Sequence, residues 1–373
     1  MAKDFHNKPF DDETVLKLEI FRGYIREWLP VFLSRRSFST INIFDFFAGP
    51  GRDIDDKSGS PLIVIDEVKD YLSDPSRPHA QDVKINLYFN DDVKAKYHNL
   101  KKALEEHVDP AYVNVEVDNK DFTDAFQEKF KVMAASNTAN LVILDQSGVK
   151  HITKDVFKRL SSCRATDILF FISSAIIKRF AGDDCIGQYF PGISKKQIDS
   201  LDKGHIHRFI CNEYYRKLVP SNKSYYLAPF SIKKGSNIYG LIFGSANLQG
   251  LEKFLKVCWN KDSISGDANY DIDDDIIRNG KTLFPEYNIS QKKDDFREKL
   301  FAFLYNQHRS NNDLYKFTLE YGCLPKHTKE ILRTLQKEQR LQTCPSDIKK
   351  GTFYLSWKYY KKQEIKAKFR IIE

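Results

Sequence analysis

The sequence predicts an α/β fold: a doubly wound, Rossmann-like sheet preceded by an N-terminal helical segment and followed by a C-terminal winged helix-turn-helix. Three observations predict it. Short β-branched and aromatic runs alternate with amphipathic segments at the spacing of parallel strands and their crossover helices. The first such run, Ile41 to Gly51 (INIFDFFAGPG), ends in an acid and breaks into a Gly-Pro-Gly turn. Basic charge gathers at the end of the chain: Gln291 to Glu373 holds 19 Lys and Arg against 10 Asp and Glu, a net of +9. With +8 over all 373 residues, the first 290 stand at −1. The expected division is therefore residues 1–40, 41–290 and 291–373.

The elements follow in order. Asp11 to Phe32 carries apolar residues at Val15, Leu18, Phe21, Tyr24, Ile25, Trp28 and Leu29, a helical spacing that Pro30 is expected to end or kink. Ile41 to Asp45 reads as a buried strand with Asp45 at its carboxyl end. Gly49 and Gly51 let backbone approach a ligand where a Cβ would clash. A polar insertion, Arg52 to Gly59, separates that turn from the next helix, which Ser60 opens as N-cap with Pro61 in the first turn. Ile85–Phe89, Leu141–Leu144 and Ile168–Ile172 read as further strands, with helices around Lys94–His107, Asp121–Ala134 and Thr153–Leu160. Phe230 to Gly244 reads as a late hairpin turning through SIKKGSN. Asp271, Asp273 and Asp275 imitate the start of a calcium loop, but Ile276 stands where Gly is needed, so a solvated acidic loop is expected from Asp262 to Asp275.

In the last segment Phe296–His308 and Asp313–Tyr321 are expected helices, Gly322–Leu324 a turn, and Pro325 the start of a third helix reaching about Arg340. Leu341–Trp357 then reads as a two-strand wing around Asp347–Gly351. On the third helix Lys326, His327, Lys329, Arg333, Lys337 and Arg340 supply phosphate and base contacts, while Ile331, Leu332 and Leu335 pack inward. The charge favours a nucleic-acid partner; docking to protein is the other reading of the same module.

Composition narrows the setting. Hydrophobic residues make up 41% and mean hydropathy is −0.51, no apolar run is long enough to span a bilayer, and MAKDFHNKPFDDE lacks the apolar core of a secretory signal. A cytoplasmic protein is expected. The six cysteines, at 163, 185, 211, 258, 323 and 344, form no C-x-x-C pair and have no His at zinc spacing, so reduced structural thiols and no protein-bound metal are expected.

Polar groups follow each strand: Asp45; Asn90, Asp91 and Asp92; Asp145, Gln146, Ser147 and Gly148; Ser173 and Ser174. In open α/β sheets this is the edge where ligands lie. Acid, aromatic, Ala, Gly, any residue, Gly is also the pattern of the S-adenosylmethionine loop in many methyltransferases that act on nucleic acid. FDFFAGPGRD, GSPLIVID, LVILDQSGVKHIT, FFISSAIIKRF, FSIKKGSNIYGLIFGS, GDANYDID and the closing winged helix together resemble the three-Cys-motif partner protein family (TcmP) over nearly the full length. The resemblance implies a methyltransferase-like core, a bacterial or mobile-element origin, and a partner that carries three cysteines and looks like a radical-S-adenosylmethionine protein.

On methyltransferase logic, Asp45, Gly49 and Gly51 lie against the methionine part of S-adenosylmethionine, with Phe47 in the same loop. Asp91 holds the ribose hydroxyls, since a carboxylate accepts two hydrogen bonds, and Asp121 with Phe122 flanks the adenine. Amino-methyltransferases place D/N-P-P-aromatic after the fourth strand. Asp145-Gln146-Ser147-Gly148 keeps the acid but has neither proline nor ring, and the chain has no Pro-Cys pair for cytosine-carbon chemistry. The leading expectation is an S-adenosylmethionine-dependent methyltransferase acting on nucleic acid, with Asp145 and Gln146 orienting the acceptor. The alternative is a non-catalytic adaptor that tethers the three-cysteine partner to DNA or RNA.

Overall fold

The computed structural model describes residues 9–34, 37–79, 82–108, 113–146, 148–180, 184–202, 204–235, 237–275, 290–346, 349 and 351–372. Strands β1 (Thr40–Asp45), β2 (Lys84–Asn90), β3 (Asn114–Asp118), β4 (Thr138–Leu144) and β5 (Thr166–Ser173) are parallel. The hairpin β6 (Tyr226–Lys234) and β7 (Asn237–Ser245) joins them through an antiparallel β5–β7 pair, giving the order β3-β2-β1-β4-β5-β7-β6. Every residue of β4 and β5 is buried, as expected for strands covered on both faces. The winding reverses between β1 and β4. Because Asp45 sits in register with Phe89 on β2 and Ile143 on β4, the carboxyl ends of these three strands finish level.

The intervening helices follow their caps. Asp11 accepts the Thr14 N–H (2.9 Å) and starts α1 (Asp12–Leu33); Asp121 and Thr153 cap α4 (Phe122–Met133) and α5 (Lys154–Ser162) in the same way. Pro30 does not end α1. It stands in the last turn, where the carbonyl of Arg26 is the group that loses its helical donor, and the helix continues to Leu33. Helices α2 (Ser60–Ser73) and α3 (Lys94–His107) complete the first windings. Strand β3 is absent from the sequence reading because NVEVD is an edge strand with no fully buried residue, and so lacks an apolar signature.

The chain forms two compact units that divide between Phe254 and Leu255, within the helix Leu248–Lys261, rather than near residue 290. Residues 1–40 are no separate segment: α1 packs on α2 and β6 inside the first unit. In the second unit the Trp259 indole donates to the Gly322 carbonyl (2.9 Å), and Lys292 reaches Asp267 (2.7 Å), so the stretch ahead of residue 290 belongs to the winged-helix core. Asp262 accepts the N–H groups of Ile264, Ser265 and Asp267, and Asp275 accepts that of Gln291. Ser265, Ala268 and Asp275 are buried, which corrects the expectation of a solvated acidic loop; Ile276 lies outside the described residues.

The unit's helices span Gln291–Leu304, Asn311–Glu320 and Pro325–Lys337. The wing differs from its sequence reading. Strand β9 (Leu341–Cys344) pairs with β10 (Lys368–Ile371) from the end of the chain, and β8 (Arg309–Ser310) pairs with the other side of β10. The segment after Gly351 supplies not the second strand but a connection with a short helix, Trp357–Lys361. Asp347 and Ile348, at the expected turn, are outside the described residues.

Candidate functional site

The level ends of β1, β2 and β4 build the site. Asp45 is fully buried; its Oδ1 accepts the Phe47 N–H (3.1 Å) and its Oδ2 the Ser60 hydroxyl (2.6 Å). Burial pushes the carboxyl up to about 7 against the pull of those two donors, with Asp145 adding to the rise and Lys17 opposing it. Ser60 is therefore not the N-cap expected of it. Gly59 takes that position, and the Ser60 hydroxyl in the first turn is committed to Asp45.

Gly49 and Gly51 both have left-handed backbone, with φ of +67° and +83°. The Gly49 N–H donates to Asp91 Oδ2 (3.0 Å) while Asp91 Oδ1 accepts the Val93 N–H (2.9 Å). Asp91 thus fastens the glycine loop to the end of β2, and burial raises its carboxyl pKa. Each oxygen still has a lone pair for a ligand hydroxyl. Gly51 has a packing reason of its own, because a Cβ there would come within 3.1 Å of Leu100 and 3.3 Å of Ala103 on α3. The insertion closes on itself through the Gly59 N–H and the Gly51 carbonyl (2.7 Å). Asp53 gathers the N–H groups of Phe10, Asp55 and Lys57.

Beside the loop lies an aromatic group. Phe47 stacks on Phe122 (centroids 5.3 Å, 19°), and His151 stands 5.2 Å from each ring. Asp121, which caps α4 through the Thr123 N–H (2.8 Å), and the exposed Asp92 both draw His151 toward its charged form. Burial outweighs them, with Lys150 acting the same way, and lowers the imidazole pKa. Sequence reasoning passed over His151, although it lies within LVILDQSGVKHIT.

After β4, Asp145 is ion-paired with Lys17 of α1, whose ammonium lies 5.3 Å above the Phe171 ring. Lys17 was also missed. Gln146 is buried: its Nε2 donates to the Phe171 carbonyl (3.0 Å) and its Oε1 accepts the His151 N–H (2.8 Å). With both ends taken by backbone, Gln146 braces the turn instead of facing an acceptor. Ser147 lies outside the described residues. The start of the chain reaches this edge three times, through Phe10 to Asp53, Asp11 to Lys234, and Lys17 to Asp145.

In the second unit Lys326, Arg333 and Lys337 are exposed and Lys329 is half-buried, at positions three and four apart on one face of Pro325–Lys337, with Glu330 exposed among them. His327 is not a surface contact. Its Nδ1 accepts the Leu324 N–H (3.2 Å), its ring packs 4.2 Å from Trp259, and burial, helped by Lys326, Lys293 and Lys292, pushes its pKa down to about 3. Arg340 lies past the helix end beside Glu338 (3.4 Å).

A cavity of about 230 Å³ lies elsewhere in the first unit, at the amino end of β5, lined by Tyr24, Trp28, Phe38, Arg164, Asp167 and Ser245. It is remote from the glycine loop. Five cysteines, 163, 211, 258, 323 and 344, are free thiols. Among the described residues no helix is long and apolar enough to cross a membrane.

A comparison with curated proteins finds no match. Solved structures similar to this chain include the O-methyltransferase of tomaymycin synthesis from Streptomyces achromogenes in complex with SAM (9% identity, 63% of this chain and 90% of that one, TM-score 0.33). An O-methyltransferase from Bacillus cereus in complex with SAH gives 8% identity, 64% and 92% coverage and a TM-score of 0.33. A small RNA methyltransferase gives 12% identity, 65% and 27% coverage and a TM-score of 0.31. The family model for the GMT-like wHTH domain matches residues 271–348, so the second unit carries a winged helix-turn-helix of that kind.

Proposed function

We propose that this chain is an S-adenosylmethionine-dependent methyltransferase acting on nucleic acid. The observation that carries the reading is the convergence, at the point where the sheet winding reverses, of Asp45, the Asp91-fastened glycine loop and the Phe47–Phe122–His151 group. The donor set fits such a cofactor: two left-handed glycines expose backbone, Asp91 keeps lone pairs for hydroxyls, and the half-buried Phe47, backed by the buried Phe122, offers an apolar ring to a base. When bound, S-adenosylmethionine supplies a methyl group on a positively charged sulfur. Asp145 stands just past the carboxyl end of β4, 27% exposed, where a carboxylate can accept a hydrogen bond from an acceptor amine and orient it. Gln146 holds the turn that presents it.

The basic face of Pro325–Lys337 supports nucleic acid as the substrate class. In this reading the resemblance to the three-Cys-motif partner family adds a radical-S-adenosylmethionine-like protein as a companion. The test is titration calorimetry with S-adenosylmethionine, joined to transfer of labelled methyl to DNA and RNA. The wild type is expected to bind and transfer. Gly49→Val, which forces a branched residue into left-handed backbone, is expected to lose binding by about tenfold or more, and Asp145→Ala to lose transfer while still binding. No binding by the wild type overturns the cofactor; binding without transfer to either nucleic acid overturns the reaction.

A further inference from the structure

Lys17 comes from a helix that precedes the sheet, yet its ammonium is placed at the sheet's carboxyl edge. It is 19% exposed, pairs with Asp145 after β4, and lies over the Phe171 ring of β5. Asp45, at the end of the neighbouring strand β1, is close enough to both for its carboxyl to respond to them. An ammonium has three donors, so Lys17 can keep Asp145 and still take up a second acceptor. The free end of an α-amino acid carries a carboxylate, which can be that second acceptor. The contacts of Phe10 with Asp53 and Asp11 with Lys234 hold the first turn of α1 at this edge, so the position of Lys17 does not rest on its ion pair alone.

We propose that Lys17, paired with Asp145, binds the carboxylate of the cofactor's methionine portion. This rests on the reading of the sheet's carboxyl edge as an S-adenosylmethionine site and deepens it: Phe47 and His151, backed by the buried Phe122, take the nucleoside, and Lys17 takes the opposite end. The two ends can be separated by ligand. S-adenosylhomocysteine has both, whereas 5′-methylthioadenosine keeps the nucleoside and thioether but has no amino acid.

The experiment is calorimetric titration of the full chain and its Lys17→Met and Lys17→Arg variants with these two ligands. Lys17→Met is expected to weaken S-adenosylhomocysteine about tenfold or more, as loss of a charge-assisted hydrogen bond requires, and to leave 5′-methylthioadenosine unchanged; Lys17→Arg is expected to restore most of the loss. Equal weakening of both ligands, or of neither, overturns the proposal while the cofactor reading stands. Failure of the wild type to bind either ligand overturns both. Thermal melts of each variant accompany the titrations, and a destabilised Lys17→Met that weakens both ligands equally counts against the proposal.

Discussion

Asp45 carries the sharpest residue-scale consequence. Its carboxyl titrates near 7 in the folded chain against an ordinary value of 3.8, because burial outweighs the Ser60 and Phe47 donors. The folded state therefore holds more proton than the unfolded state between those values, and ionising Asp45 costs stability as pH rises through that window. Asp45→Asn keeps one oxygen for the Phe47 N–H, turns the other position into an amide donor that the Ser60 hydroxyl can accept, and cannot ionise. Relative to wild type, the variant is expected to gain stability between about pH 4 and about pH 7 and then level off, measured by urea unfolding on either side of the window; a difference that does not move with pH overturns this. Asp45 was legible in the sequence because a strand ending in an acid before a glycine turn is a local pattern. Lys17 was not, because its partner is 128 residues away and nothing local separates it from the other lysines of an amphipathic helix. Gln146 was legible as a position but not as a role, since only the folded chain shows both ends of its amide bonded to backbone.

At the scale of elements, the face of Pro325–Lys337 makes a quantitative claim. Removing one cation that pairs with a phosphate lowers the slope of log affinity against log salt by about one unit. Lys329→Ala with Arg333→Ala is expected to weaken DNA or RNA binding and to reduce that slope by about two; an unchanged slope, read from fluorescence anisotropy titrations at several salt concentrations, removes the helix from the interface. Glu330 shares the face, and Glu330→Gln is expected to move affinity the opposite way. Helices and buried strands were readable because periodicity and capping are local: Lys94–His107 was placed to the residue, and Asp121 and Thr153 proved to be caps. The wing was misread because β9 finds its partner at Lys368–Ile371, across an intervening helix, and such pairing leaves no mark in a short window.

At the scale of the molecule, the unit boundary at Phe254–Leu255 changes the charge argument. Residues 255–290 bring four basic and seven acidic residues to the second unit, which stands at +6 against +2 for the first. The positive field is thus narrower than the tail's composition suggests, and it lies on the winged helix rather than on everything after Leu255. The boundary also sets which fragment folds. A piece beginning at Leu248 keeps Trp259 and the Asp262 turn, whereas one beginning at Gln291 loses an indole that packs on His327 and bonds to Gly322. The shorter fragment is expected to be less stable by about 3 kcal/mol or more, as for removal of a buried aromatic, in paired urea melts; equal stability overturns the boundary. The order of the sheet has one further effect, on what happens when many copies meet. Its two edges are β3 and β6. On β3, Glu116 and Asp118 carry ion pairs with Lys129 and Lys120, and β6 contains Pro229, which has no N–H to offer another strand. Neither edge is a clean template for an incoming strand, so the sheet is guarded at both ends against growth into a polymer.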